Sequence, residues 1–334
     1  MKAVVWTAYG SPNVLQLRQV SKPVPKDDEI LVRVRATTVT AGDCELRRMG
    51  NPIWIRFALR AYIGVRRPTR RTILGMEFAG DIEEIGRGVT LFQRGDRVFA
   101  ATGIVAMGTC AEYVCLPETS QDGAVTTMPA DISYDEAAAV PVGGLEALHF
   151  MRKAELRTGE AVLINGAGGT IGCFAVQLAK HFDAHVTAVD STDKLPMLRS
   201  IGADDVIDYT QEDVLGSETG YDVIFDVVGR LPFTRAVRSL NRGGRYLIAN
   251  PRLSTMLRGA YTSKTSRKTV YARPASPTTE DLIVLRGLIE KGKLRTVIDR
   301  TYPLEQTAEA HRHVESGHKV GNVIVTIRPQ EERS

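Results

Sequence analysis

Gly166, Gly169 and Gly172 follow directly on the apolar run Ala161 to Ile164 and lead into a helix-period pattern through Ile171, Phe174, Ala175, Leu178 and Phe182. A strand that turns on glycine into a helix leaves free N–H groups near Thr170 and Ile171 at the positive end of the helix dipole, where a pyrophosphate binds. A side chain in the turn would block close approach of the phosphates, and Gly172 lets the helix lie tightly on the strand. A second apolar run, Val186 to Val189, stops at Asp190, eighteen residues beyond Gly172. That is close to the offset at which a carboxylate takes the ribose hydroxyls of a dinucleotide and repels a 2′-phosphate.

These groups need a parallel sheet to hold them. From about Pro129 the chain alternates helix-like and strand-like segments, with apolar runs at DVIDY from Asp205, YDVIFDVVG from Tyr221 and RYLIAN from Arg245, the last introduced by an NRGG turn. Such alternation predicts a doubly wound α/β sheet. Ligands then sit outside the carboxyl ends of its strands, which nominates Tyr209, Val228 and Asn250 beside Gly166 and Asp190. An alanine-rich helix ahead of the glycine turn is expected to break at Pro141 and Gly143, and STDKLPMLRSIG after Asp190 to form a helix capped by Ser191 or Thr192.

Residues 1 to about 125 have a different texture. Short strand patterns at residues 4–6, 30–39, 78–86, 96–100 and 111–116, separated by glycine turns, predict a compact barrel-like domain. Within this part, residues 51–74 interleave Trp54, Phe57, Leu59, Tyr62 and Ile63 with arginines. This basic amphipathic stretch reads as a lid that packs aromatics over an apolar cleft, with a membrane surface or nucleic acid as the alternative contact. A long amphipathic helix from Glu280, a second helix through the YPLEQTAEAHRHVESGH segment and a strand at 322–327 close the chain.

The 334 residues, 43% hydrophobic and 25% charged, suit two globular domains with their own cores. A net charge of +4 is too mild to imply nucleic acid. No signal peptide pattern or membrane-length apolar run is found, so the expected location is the cytoplasm. Cys44, Cys110, Cys115 and Cys173 form no CxxC pair and read as small apolar residues. His311 and His313 point apart on a helix, and with His318 they make no metal set at the usual spacings.

Over nearly its full length the sequence resembles the medium-chain dehydrogenase/reductase superfamily, and within it the zinc-independent, quinone oxidoreductase-like branch. The stretches that carry the resemblance are KPVPKDDEILVRVRATTVTAGD, ILGMEFAGDIEEIG, RGDRVFA, CAEYVCLP, GGLEALHF, INGAGGTIG with AVQLAK, SIGADDVIDY, FDVVG and GHKVGNVIV. The resemblance implies a GroES-like barrel domain at 1–125 and 300–334 and a Rossmann nucleotide-binding domain at 126–299.

Where zinc members carry a ligating Cys this chain has Thr40, where they carry His before Glu it has Met76 before Glu77, and near the third ligand it has Val142 and Gly143. The four-cysteine structural lobe is missing as well. The resemblance therefore implies a metal-free NAD(P)H-dependent reductase of quinones or α,β-unsaturated carbonyls. Thr40 would donate to the developing oxyanion, Asp43 would orient the site, and Trp54 and Tyr62 would line a cleft for a small electrophilic acceptor. Relatives that prefer NADPH carry a small residue and Ser-Thr-Arg where this chain has Asp190-Ser-Thr-Asp-Lys194, so NADH is the expected donor, with Lys194 offering partial compensation toward NADPH. Relatives are frequently homodimers paired through an edge strand, expected here around Thr269 to Ala272. Two other readings are a metal-free alcohol or aldehyde oxidoreductase and a cofactor-binding protein that docks a partner through the arginine-rich segment.

Overall fold

A computed structural model describes residues 1–50, 53–104, 106–120, 122–216, 220–276 and 278–327, with the side chains of 53 and 54 outside that set. The chain divides into two compact units, one of residues 1–142, 278–286 and 296–334, the other of 143–277 and 287–295.

In chain order the first unit builds β1 (Lys2–Trp6), β2 (Leu15–Gln19), β3 (Glu29–Thr38), α1 (Ala41–Arg48), α2 (Ile53–Ile63), β4 (Glu77–Ile85), β5 (Arg97–Ala101), β6 (Tyr113–Pro117), β7 (Ala124–Thr127) and α3 (Tyr134–Ala138). Then come α4 (Pro141–Ala154), β8 (Ala161–Asn165), α5 (Thr170–His181), β9 (His185–Asp190), α6 (Leu195–Ser200), β10 (Asp205–Asp208), β11 (Tyr221–Asp226), α7 (Phe233–Arg238), β12 (Leu240–Ile248), α8 (Leu253–Thr265) and β13 (Thr269–Tyr271). The chain ends its described course with α9 (Thr279–Glu290), β14 (Ile298–Pro303), α10 (Thr307–Glu315) and β15 (Asn322–Thr326).

The first unit is the GroES-like one. Its main sheet runs β14-β15-β3-β4-β5-β7, with β6 also on β3 and a β1–β2 hairpin alongside. β3 is its spine: ten residues long, it pairs antiparallel with β4, β6 and β15. Ile30, Val32 and Val34 alternate into a core shared with Trp6, Phe78, Val98 and Val323, the period-2 pattern that half-buried strands require. β14 is absent from the sequence reading, because its mostly half-buried or exposed residues IDRTYP lack apolar alternation.

The second unit is the Rossmann one, a parallel sheet in the order β10-β9-β8-β11-β12-β13. The order reverses between β8 and β11, and a crevice opens at such a switch point. The alanine-rich segment breaks ahead of Pro141 as expected, into α3 and an α4 that Pro141 starts, since a missing N–H costs nothing in a first turn; Gly143 lies inside α4 and does not break it. The NRGG segment lies inside β12, where the register to β11 shifts between Tyr221 and Val223. Pro196 sits in the first turn of α6, as expected.

Candidate functional site

The glycine turn joins β8 to α5 and has little room for anything else. Gly166 has φ +82, a left-handed backbone, and a Cβ there would meet Val228 Cγ2 at 2.5 Å. A Cβ on Gly172 would fall 2.3 Å from the Gly166 carbonyl oxygen. Gly169 is the N-cap of α5 and brings no side-chain cap. The turn thus delivers the positive end of the α5 dipole, at Thr170 and Ile171, to the strand end where a pyrophosphate would lie. The cradle fits a dinucleotide pyrophosphate.

Gly168, which the spacing of the other glycines passes over, ties this turn to Asp190. Its N–H donates to Asp190 Oδ2 at 2.8 Å, and a Cβ on it would meet Lys194 Cδ at 2.5 Å and Asp190 Oδ2 at 2.9 Å. Asp190 Oδ1 accepts from the Ser191 N–H at 2.9 Å and pairs with Lys194 Nζ at 2.9 Å. Both ion-pair partners are buried. The sequence signal for Gly168 is the GAGG run itself.

The other nominated positions gather along the same strand ends. The Tyr209 N–H donates to the Asp190 carbonyl at 3.2 Å, Val228 lies against Gly166, and Asn250 Nδ2 donates to the Val227 carbonyl at 3.0 Å. Tyr209 and Val228 are about half exposed. Behind them Asp226, fully buried, accepts from Asn165 Nδ2 at 2.8 Å and from the amides of Gly229 and Leu231 at 2.9 and 3.0 Å. It is the buried brace that fixes the β11 end of the crevice, and the sequence reading did not single it out.

In the first unit Thr40 and Asp43 are brought together as a capping box at the start of α1. Thr40 Oγ1 accepts from the Asp43 N–H at 3.1 Å, while the Thr40 N–H and hydroxyl both donate to Asp43 Oδ2, at 2.9 and 2.6 Å. Burial raises the Asp43 carboxyl above its usual range, and the Thr40 hydrogen bonds oppose that rise. Glu77 lies close enough for Asp43 to act on its charge. It accepts from the Thr38 hydroxyl and, at 2.7 Å, from the Val142 N–H. Burial pushes Glu77 up to about 7. In the sequence Glu77 figured only as the neighbour of Met76.

Tyr62 is on α2, half buried against the barrel core, with its hydroxyl 3.2 Å from Arg71 Nη2. Leu59 packs beside it and Phe57 faces solvent at 71% exposure. The Trp54 side chain lies outside the described residues. A different polar group, not anticipated, joins α1 to α10: Cys44 Sγ is 3.2 Å from His311 Nδ1, and fully buried Arg47 reaches Glu315. His313 pairs instead with Asp299.

The donors at the inherited zinc position do not fit zinc. A hydroxyl held by Asp43, a thioether at Met76 and the apolar Val142 cannot replace thiolate and imidazole. No group of three or more His, Cys, Asp or Glu among the described residues could hold a metal ion.

Residues 26–130 match the family described as the alcohol dehydrogenase GroES-like domain, and residues 201–325 match that described as zinc-binding dehydrogenase. The chain is 30% identical to the chloroplast envelope quinone oxidoreductase homolog of Arabidopsis thaliana, over 97% of this chain and 98% of the relative. It is 31% identical to the NADPH-dependent alkenal/one oxidoreductase of the same plant, over 97% of this chain and 79% of the relative. Among solved structures, the quinone oxidoreductase of Coxiella burnetii superposes with a TM-score of 0.86 at 28% identity, covering 98% of this chain and 99% of that one. The barrel, the glycine turn on a parallel sheet and these full-length likenesses agree: the chain belongs to the medium-chain dehydrogenase/reductase superfamily, in its quinone oxidoreductase-like branch.

Proposed function

We infer that this protein is an NAD(P)H-dependent oxidoreductase that delivers a hydride to a quinone or an α,β-unsaturated carbonyl. The observation that carries this reading is the cradle at Gly166, Gly168 and Gly172 with Asp190 hydrogen-bonded into it, in a chain similar end to end to proteins named as quinone and alkenal oxidoreductases. The dinucleotide supplies the hydride from its nicotinamide when bound. The amides at the start of α5 hold the pyrophosphate, and Asp190 takes the adenosine ribose.

Thr40 is the proposed donor to the acceptor's developing oxyanion. Its own N–H already donates to Asp43 Oδ2, so the hydroxyl can turn toward an acceptor while the carboxylate keeps a hydrogen-bond donor. Asp43 then serves to position Thr40 through the capping box. Tyr62 and Trp54 are proposed to bound the acceptor site, favouring a flat apolar molecule. An acceptor that is already electrophilic needs donors rather than a Lewis acid, and zinc independence is proposed from the donor set at Thr40, Met76 and Val142.

NADH is the proposed better donor, because a carboxylate at the end of β9, Asp190, would repel a 2′-phosphate; Lys194, paired with it, would offset part of that repulsion. Two copies are proposed to pair through β13, the short edge strand of the parallel sheet. Among the described residues no helix is long and apolar enough to cross a membrane, and a cytoplasmic location is proposed.

The test is steady-state oxidation of NADH and of NADPH by chelator-treated protein with a quinone, an enone and an aldehyde. Turnover of quinone or enone that survives chelation supports the reading. Turnover confined to the aldehyde, or lost on chelation, overturns it.

A further inference from the structure

From Val227 to Thr279 the chain contains eleven Lys and Arg and not one Asp or Glu. At the chain's own frequency about six acids would fall in such a stretch. The whole protein carries only +4, so the remainder sums to a net negative charge, and this stretch and the arginine-rich residues 51–74 are its two acid-free basic segments.

α8 stands in the middle of this stretch and is barely packed. Among its described residues only Gly259 is buried. A Cβ at Gly259 would meet Val270 Cγ1 at 2.8 Å, so the glycine is what lets the helix lie against β13. The face turned away carries Leu253, Leu257 and Tyr261, four residues apart and 58%, 66% and 71% exposed. Residues at that spacing share one side of a helix, so α8 shows solvent a continuous apolar stripe. Arg252 and Lys264 bracket the stripe at its two ends, Arg267 follows, and none of them forms an ion pair with a described residue. No acid occupies the first turn, and the Arg252 N-cap supplies no side-chain hydrogen bond. The helix thus starts with open amides beside a cation.

We propose that the exposed face of α8 docks this protein onto an anionic lipid surface, the apolar stripe entering the headgroup boundary and Arg252, Lys264 and Arg267 meeting lipid phosphates. An apolar stripe flanked by cations on a helix too short and polar to span is the pattern of an interfacial helix. The sign of the charge selects the occupant. A second copy brought face to face here would set like cations against each other, whereas an anionic bilayer satisfies the cations, the open amides and the stripe together. A nucleic acid would leave the stripe uncovered.

The test is cosedimentation of the intact protein with phosphatidylcholine vesicles and with vesicles that also contain phosphatidylglycerol. The protein is expected on the anionic vesicles only, and high salt is expected to release it. Replacing Arg252, Lys264 and Arg267 together by Gln should weaken vesicle binding on the order of 100-fold, at roughly fivefold per cation. Replacing Leu257 and Tyr261 by Ser should weaken it at least about tenfold with the charge unchanged. All five residues are exposed and none belongs to the glycine turn, so quinone turnover should persist in both variants. A Tyr261→Trp reporter in the otherwise native chain, whose fluorescence should shift to the blue on anionic vesicles, decides the question even if a variant fails to fold.

Absence of binding to anionic vesicles overturns the proposal. So does binding that neither variant weakens, or retention on RNA that the Leu257 and Tyr261 changes leave intact. A dimer that those two changes dissociate, in a protein that ignores vesicles, would make the face a self-interface and also overturn it.

Discussion

Lys194 Nζ lies 2.9 Å from Asp190 Oδ1 on one side of the carboxylate while the Gly168 N–H donates to Oδ2 on the other. The acid proposed to read the ribose is therefore also a structural latch, neutralised in part by its own neighbour one helical turn on. Asp190→Ser should raise the ratio of kcat/KM for NADPH over NADH by about 10- to 100-fold, the worth of a charge-assisted hydrogen bond. Lys194→Met should move the ratio the other way. Measuring both specificity constants for both variants checks this, and a ratio unchanged in Asp190→Ser would remove Asp190 from cofactor choice.

Gly172→Ala places a methyl 2.3 Å from the Gly166 carbonyl. The strand and helix must separate, at a cost of about 1–3 kcal/mol in stability, and the phosphates lose their close approach. A higher KM for the dinucleotide together with a lower Tm is the expected result. A normal KM would show that the turn is not where the phosphates lie.

Thr40→Ala separates two roles. Loss of the N-cap should lower stability by about 1 kcal/mol. The proposed oxyanion donor would additionally lower kcat by roughly 100-fold, as removal of one such donor does. Stability loss with unchanged kcat would leave Thr40 as a cap alone. Thr40→Ser should restore both.

Glu77 and His311 make opposite predictions for pH. Burial raises Glu77 from 4.5 to about 7, so the stability it contributes is full below pH 4.5 and falls as pH rises through 7. Glu77→Gln should flatten the dependence of Tm on pH between those limits. Burial, helped by the nearby Arg47, lowers His311 from 6.5 to about 3. Its contribution is full above pH 6.5 and is lost as pH falls toward 3. Urea midpoints for wild type and His311→Leu at several acid pH values should converge as the wild type weakens. Parallel curves would mean that His311 is not the titrating group.

Much of this arrangement is legible in the chain. β3 reads as alternation, β8 as an apolar run, and the glycine turn as an interruption between two periods, because each obeys a local rule. α1 follows less obviously from its eight mixed residues; its sign is the Thr40 to Asp43 spacing, a capping box whose hydrogen bonds appear only in three dimensions. β14 and α8 are hard to read because neither buries a regular face. The Cys44–His311 contact joins residues 267 apart, beyond the reach of any spacing rule. Lys194 is visible as a charge beside Asp190, but its being neutralised there depends on the turn between β9 and α6.

β15 lies between β14 and β3, pairing Ile324 with Thr38 and Val325 with Thr37. During synthesis the β3 edge that β15 covers stays open until residues 322–326 have been made, while residues 143–277, an uninterrupted stretch that holds most of the nucleotide unit, precede them. Long-range pairing of this kind is slow and leaves strand edges exposed to other chains. The barrel of this fold is therefore completed only by a strand made after most of the nucleotide unit, so β15 is the segment whose late arrival closes the β3 edge.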